Sequence, residues 1–176
     1  MRFCETKVAG AWLIEPEPVA DERGFFARVF CREEFAEHGL NPGLAQGNVS
    51  YNHARGTLRG MHYQAAPHQE AKLVRCTRGA IWDVALDLRP DSPTYLAWAG
   101  YELSDANRSM LYVPEGCAHG FLTLTDGAEV TYQMSAPYAP AAARGVRWDD
   151  PAFGIDWPGE VVVINQRDAG YPDTEP

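Results

Sequence analysis

The sequence predicts an all-β fold of the sandwich or jelly-roll type. Three observations point to it. Short apolar and aromatic runs recur at even spacing, separated by turn residues. A single stretch is credible as a helix of more than one turn. Aromatic residues make up 11% of the chain, with five Trp and eight Tyr, a composition that suits pleated, half-buried surfaces better than a helical bundle.

The elements follow in order. Strands are predicted over 11–15, 24–29, 46–51, 57–63, 71–77, 80–87, 96–102, 109–113, 120–125, 128–134 and 161–165. The run 80–87, Ala-Ile-Trp-Asp-Val-Ala-Leu-Asp, is apolar on one parity and mixed on the other, as in a strand buried on at least one face. Between strands lie Arg78-Gly79, Arg89-Pro90-Asp91-Ser92-Pro93, Pro114-Glu115-Gly116 and Asp126-Gly127, whose Gly and Pro supply the backbone angles turns require. Asp126-Gly127, flanked by β-rich runs, is the strongest hairpin signal. The helix is expected over 32–38, closed by Gly39. A short turn is expected at Ser104-Asp105-Ala106-Asn107. The proline-rich end, from Trp157 to Pro176, is expected to pack on the barrel as extended chain.

Length and composition bound the function. A chain of 176 residues with 45% hydrophobic residues suits one domain, residues 1–176, around a single core. No repeat, low-complexity tract or linker divides it. No apolar run approaches the ~20 residues that span a bilayer, and the N-terminus lacks the apolar segment of a signal peptide. The expected setting is the cytoplasm, with no membrane partner. Cys4, Cys31, Cys76 and Cys117 form no CxxC pair, so they are read as reduced thiols. The net charge of −9 argues against nucleic acid, which needs an extended basic face. It does not exclude a phosphorylated small molecule, which needs only a few local arginines and lysines.

The most informative segment is Leu58-Arg59-Gly60-Met61-His62-Tyr63-Gln64, followed by Lys72. On strand parity, Gly60, His62 and Gln64 share a face and Arg59 lies off it; Lys72 is expected to return to that face from the next strand. An imidazole beside a fixed cation inside a β-fold is what proton abstraction next to a carbonyl requires: the base removes the proton and the cation holds the enolate. The plainer reading of His62 is a packed, hydrogen-bonded histidine. Its company weighs against that, because burying charges without a purpose is costly. His119 follows the small-residue turn Pro114-Glu115-Gly116-Cys117-Ala118 and reads equally as functional or as a histidine closing the turn. Tyr132, mid-strand, is either packing or a proton donor across a cavity from His62. His62, His68, Glu70 and His119 can also be cast as a metal set. Residues 144–158, rich in charges and aromatics, read as a loop held by ion pairs, and Arg167-Asp168 as solvated charges near the tail.

Taken together, Asp21-Glu22-Arg23-Gly24-Phe25-Phe26, Gln46-Gly47-Asn48, the 58–64 segment, Lys72-Leu73-Val74-Arg75, Gly79-Ala80-Ile81-Trp82-Asp83-Val84, Pro114 to Phe121 and Arg147-Trp148-Asp149-Asp150-Pro151 resemble the dTDP-4-dehydrorhamnose 3,5-epimerases. The segments run in family order from about residue 20 to about residue 170. The resemblance implies a cupin-type jelly roll without metal or other cofactor, acting as a homodimer with strand exchange. It implies His62 as general base paired with Asp168, Lys72 on the enolate oxygen, and Tyr132 as proton donor on the other face. It further implies that Arg23, Phe26, Gln46, Asn48, Arg59, His119, Tyr138 and Arg167 bind a nucleotide sugar, expected to be dTDP-linked, with Tyr138 stacked near the base. The expected reaction inverts C3, C5 or both in a 4-keto-6-deoxyhexose. Two other classes are kept open: a metal-dependent cupin isomerase or dioxygenase, and a non-catalytic module that binds sugar nucleotides.

Overall fold

The structure, a computed structural model, describes residues 1–174. Two antiparallel sheets face one another. The larger is built from β1 (Arg2–Glu5), β2 (Trp12–Glu15), β5 (Gln46–Asn52), β7 (Lys72–Arg78), β10 (Met110–Val113) and β12 (Ala128–Met134), in the order β1-β2-β10-β7-β12-β5. The smaller contains β6 (Leu58–Gln64), β8 (Ala80–Asp87), β9 (Trp98–Ser104), β11 (Cys117–Thr123) and β13 (Ala143–Gly145), in the order β13-β6-β11-β8-β9. β3 (Val19–Asp21) and β4 (Gly24–Phe26) form a separate exposed hairpin. The helices are α1 (Arg32–Glu37) and α2 (Gln166–Ala169). Successive strands from β5 to β8 alternate between the two sheets, which is how a jelly roll closes on its core.

Packing follows the strand parity. Val74, Cys76, Ile81, Ala85, Leu103, Phe121 and Val130 fill the space between the sheets at one end. The back of the larger sheet is covered by Phe35 and Leu40, carried by α1 and the chain just after it, against Ile14, Leu73, Met110 and Tyr112. The back of the smaller sheet is covered by the chain after β13, where Phe153 packs on Met61, Val84, Leu86 and Ala118. The three layers leave the opposite end of the inter-sheet space to polar side chains.

Several sequence expectations change. The run 161–165, expected as a strand, makes only an isolated bridge, Thr57 to Val163. The proline-rich end is not wholly extended, because it contains α2; its residues 175 and 176 lie outside the described part. Asp126-Gly127 is a turn, with Gly127 at φ +63°, but not a hairpin, since the strands it joins belong to different sheets. Instead it docks on the chain after β5: Asp126 Oδ1 accepts from the Arg55 N–H at 2.7 Å and Gly127 N–H donates to the His53 carbonyl at 3.1 Å. Residues 144–158 do carry the expected ion pair, Arg147 to Asp149 at 2.6 Å, after β13.

One buried charge fastens the turn after β8. The Asp87 carboxylate accepts from Arg89 Nε and Nη2, both at 2.8 Å, and from Thr94 Oγ1 at 2.7 Å. Burial pushes the Asp87 carboxyl up. The Arg89, Ser92 and Thr94 donors outweigh burial and hold it well below the usual carboxylate range. A depressed folded-state value stabilises the fold above the unfolded-state value of about 3.9 and loses that stabilisation as pH falls. Asp87→Asn is therefore expected to cost about 3 kcal/mol at pH 7, from lost charge-assisted hydrogen bonds around a buried site. Urea unfolding should show this gap, and the gap should shrink as pH drops below about 4.

Candidate active site

A cavity of about 400 Å³ opens at the polar end of the inter-sheet space. From the larger sheet, β5 supplies Gln46 and Asn48, β7 supplies Lys72, and β12 supplies Tyr132 and Met134. Register sets them side by side: Tyr132 lies opposite Asn48, and Met134 lies between Gln46 and Lys72. From the facing sheet, β6 supplies Arg59, His62 and Gln64, and β11 supplies His119 and Phe121. His62 and His119 are direct cross-strand partners.

The parity expected for β6 fails at Gly60. His62 pairs with His119 but Arg59 pairs with Phe121, so three steps on β6 match two on β11. The extra residue is a bulge, and it turns Arg59 onto the cavity face while Met61 enters the core behind the sheet. Gly60 has φ +141°, and a Cβ there would meet Gly120 Cα at 2.5 Å. The two glycines thus let β6 and β11 approach closely where the bulge forms. Lys72 also differs from expectation. Its strand belongs to the opposite sheet, and its ammonium reaches across the cavity to donate to the His62 carbonyl at 3.1 Å.

The His62 ring is held by a carboxylate. Its Nε2 lies 2.7 Å from Asp168 Oδ1, while Asp168 Oδ2 accepts from the Gly60 N–H at 3.1 Å. Asp168 is 1% exposed, whereas the His62 side chain is 38% exposed toward the cavity. Burial pushes the Asp168 carboxyl up; the hydrogen bond and charge of His62 and the Gly60 N–H outweigh it, so it sits below its ordinary value. An ionised Asp168 can only accept, so the Nε2–H of His62 donates to it and Nδ1 is the nitrogen that faces away from the carboxylate. Asn165 caps α2 by accepting from the Asp168 N–H at 2.7 Å, which fixes where the carboxylate points.

Two further buried pairs of ionisable groups surround the cavity. Lys72 Nζ lies 3.3 Å from Glu70 Oε1, and both side chains are buried. Burial pushes the Lys72 ammonium down, against the pull of Glu70 and Asp83. His119 Nε2 lies 2.7 Å from Asp83 Oδ1, and burial pushes the Asp83 carboxyl up against the pull of His119 and Lys72. At the mouth, the Tyr138 N–H donates to Gln46 Oε1 at 2.8 Å and the Ala139 N–H donates to Gln64 Oε1 at 2.6 Å. Two amide side chains from the walls therefore pin the segment carrying Tyr138, whose ring stands 54% exposed beside Arg167.

Ten sequence-predicted site residues line this one cavity: His62, Lys72, Tyr132, Asp168, Gln46, Asn48, Arg59, His119, Tyr138 and Arg167. Arg23 and Phe26 do not reach it within one chain. They sit on the β3–β4 hairpin, Phe26 77% exposed and Arg23 ion-paired to Asp21. The set His62, His68, Glu70 and His119 does not assemble, and no group of three or more possible metal-binding side chains occurs among the described residues. Sequence reading missed Asp83 as the partner of His119. Its signal was present: a carboxylate inside the apolar run 80–87 needs a buried partner. Asn165 carried no such signal before α2 was known.

The fold and cavity together define a cupin-type jelly-roll enzyme with titratable side chains on two facing walls. The chain belongs to the dTDP-4-dehydrorhamnose 3,5-epimerase family, whose model matches residues 5–175. It is 47% identical over 173 residues to the dTDP-4-dehydrorhamnose 3,5-epimerase of Methanothermobacter thermautotrophicus, spanning 97% of this chain and 92% of that one. The crystal structure of the same-named enzyme from Elizabethkingia anophelis superposes with a TM-score of 0.95 at 36% identity, covering 98% of this chain and 96% of that one. The enzyme from Bacillus anthracis, solved with TDP and PPi bound, gives a TM-score of 0.93 at 38% identity, with 98% and 99% covered.

The bulge is expected to be the least tolerant point of the site. Gly60→Ala, which adds a Cβ in a left-handed conformation against Gly120, should cost about 2–4 kcal/mol in urea unfolding. A cost below about 0.5 kcal/mol, the range of ordinary surface changes, would show that β6 can run without the close approach.

Proposed function

We propose that this protein is an epimerase of a dTDP-linked 4-keto-6-deoxyhexose, inverting C3, C5 or both through an enolate. The observation that carries the reading is the placement of His62 and Tyr132 on opposing walls of one cavity, with the Lys72 ammonium between the sheets. The C4 ketone acidifies the hydrogens on C3 and C5. Nδ1 of His62 takes one of them, and the imidazolium that forms is stabilised by Asp168. Negative charge gathers on the C4 oxygen, where the Lys72 ammonium donates to it in a dry, low-dielectric site. The Tyr132 hydroxyl then returns a proton to the opposite face of the carbon. Exchange with water restores both groups.

The nucleotide end draws on the rim. Arg59 and Arg167 suit a diphosphate, because guanidinium forks pair with phosphate oxygens, and the exposed Tyr138 ring suits a base. Gln46, Asn48 and His119 supply polar contacts to the sugar. The B. anthracis relative with TDP bound supports the same ligand class. The placement of Arg23 and Phe26 supports a homodimer in which the hairpin of one copy reaches the cavity of the other. No described helix is long and apolar enough to cross a membrane, and the four cysteines are free thiols, which supports a cytoplasmic setting.

Deuterium wash-in from D2O into a dTDP-4-keto-6-deoxyhexose tests the reaction: the position of the label reports which centre exchanges, and the configuration of the product reports which one inverts. His62→Ala should abolish exchange. Lys72→Met should lower kcat about 10²–10³-fold if its donor resembles other oxyanion donors. Tyr132→Phe should keep exchange but lose inversion. No exchange by the wild type with such substrates would sink the proposal, and a fully active Tyr132→Phe would remove that residue as donor. Light scattering should give twice the 19.5 kDa chain mass, and a monomeric mass would refute the dimer.

A further inference from the structure

Three residues beyond Asp168, the chain returns an aromatic ring to the same imidazole. The Tyr171 ring meets the His62 ring edge-on, with centroids 6.4 Å apart and planes at 71°. It lies over Gly145, the residue directly paired with His62 on β13. A Cβ at residue 145 would overlap the Tyr171 ring, so the ring has its seat only because residue 145 lacks a side chain. The Arg167 guanidinium sits 5.9 Å from the ring centroid. Tyr171 is not among the cavity-lining residues, so the ring stands beside the imidazole and not in the substrate space. Its hydroxyl is buried and makes no hydrogen bond of ordinary geometry among the described residues, but it lies close enough to the Arg167 guanidinium to hold that group above its ordinary value. The contact with His62 is made by the ring, whereas the hydroxyl acts on Arg167.

We propose that Tyr171 is a positioning residue for the His62–Asp168 pair, a proposal that rests on the epimerase reading above. One short segment, Asp168 to Tyr171, holds the imidazole in two ways. The carboxylate fixes Nε2 through its hydrogen bond. The ring edge limits how far the imidazole can rotate about that bond, and so holds Nδ1 on its line to the substrate carbon. Base catalysis depends steeply on that line, since a misplacement near 1 Å can cost about 10²-fold. Gly145 is part of the device, because it sets the depth at which the ring rests.

The test compares Tyr171→Phe, Tyr171→Leu, Gly145→Ala and the double variant in deuterium wash-in, with dTDP binding measured on each. Tyr171→Phe keeps the ring edge and should exchange at the wild-type rate. Tyr171→Leu should lose about 10- to 100-fold in kcat, while its dTDP affinity changes by less than about fivefold, the scale of the lost contact with Arg167. Gly145→Ala leaves Tyr171 in the chain but displaces the ring, so it should slow exchange in the same way. Added to Tyr171→Leu it should cost little more, because the ring it displaces is gone. Wild-type kcat in Tyr171→Leu or in Gly145→Ala, or a Tyr171→Phe as slow as Tyr171→Leu, would overturn the proposal. A Tyr171→Leu protein too unstable to assay leaves Gly145→Ala to decide. A wild type without exchange would instead retire the epimerase reading itself.

Discussion

The 2.7 Å hydrogen bond between His62 and Asp168 is the interaction on which the rest of the site depends. It joins parts of the chain 106 residues apart, β6 and the one-turn helix α2. The carboxylate gains its position from three sources. Asn165 caps the helix, the Gly60 N–H satisfies the second oxygen, and the surrounding chain excludes water. Each source would be useless alone. A buried carboxylate without donors would take up a proton, and an exposed one would be screened. Together they keep it ionised and aimed, which decides the tautomer of the imidazole. The bulge at Gly60 serves both ends of this arrangement, since it presents the N–H to Asp168 and brings Arg59 to the cavity face.

The same logic explains why so many charges are buried in one small volume. Lys72, Glu70, Asp83 and His119 would each be costly if isolated. Arranged as two pairs in the cavity walls, they offset one another's desolvation only in part. Burial still pushes the Lys72 ammonium down and the Asp83 carboxyl up. The residual cost has to be carried by packing elsewhere, and the apolar layers on the backs of both sheets supply it. Such a site gives up stability for fixed dipoles and charges, which is the usual condition for stabilising charge that develops only during a reaction.

How much of this was legible in the sequence varied with the physics of each element. β8 and β12 were read to the residue, because each is paired on both sides and shows sustained alternation. β1, β3 and β13 were missed, since three or four residues at an edge carry no alternation to detect. The run 161–165 looked like a strand from its β-branched residues, yet it found no ladder to join. Turn chemistry at Asp126-Gly127 was read correctly and its partner wrongly, because a turn fixes local angles and not the sheet that the next strand enters. Arg59 was placed on the wrong face for a related reason: strand parity holds only until a bulge resets it. Most residues carried by strong local patterns or by the family resemblance line the cavity, but Arg23 and Phe26, on the exposed β3–β4 hairpin, do not. Those that depend on a distant segment, such as Asp83 against His119, were not named in advance.

For a chain of net charge −9, the proposed diphosphate ligand sets two fields against each other. The bulk charge repels the ligand at distances beyond a Debye length, about 8 Å at physiological salt, where screening already weakens it. Within that range only the local groups matter. The cavity rim presents Arg59 and Arg167, with Lys72 deeper, while the nearby carboxylates are spoken for: Asp168 by His62, Asp83 by His119 and Glu70 by Lys72. Pairing each acid with a wall cation or imidazole removes the carboxylates from the field that the ligand feels. The acidic surface then sets solubility, and the rim sets recognition. This division requires that the acids near the cavity stay paired, so under the proposed function the buried dyads would serve binding as well as proton transfer.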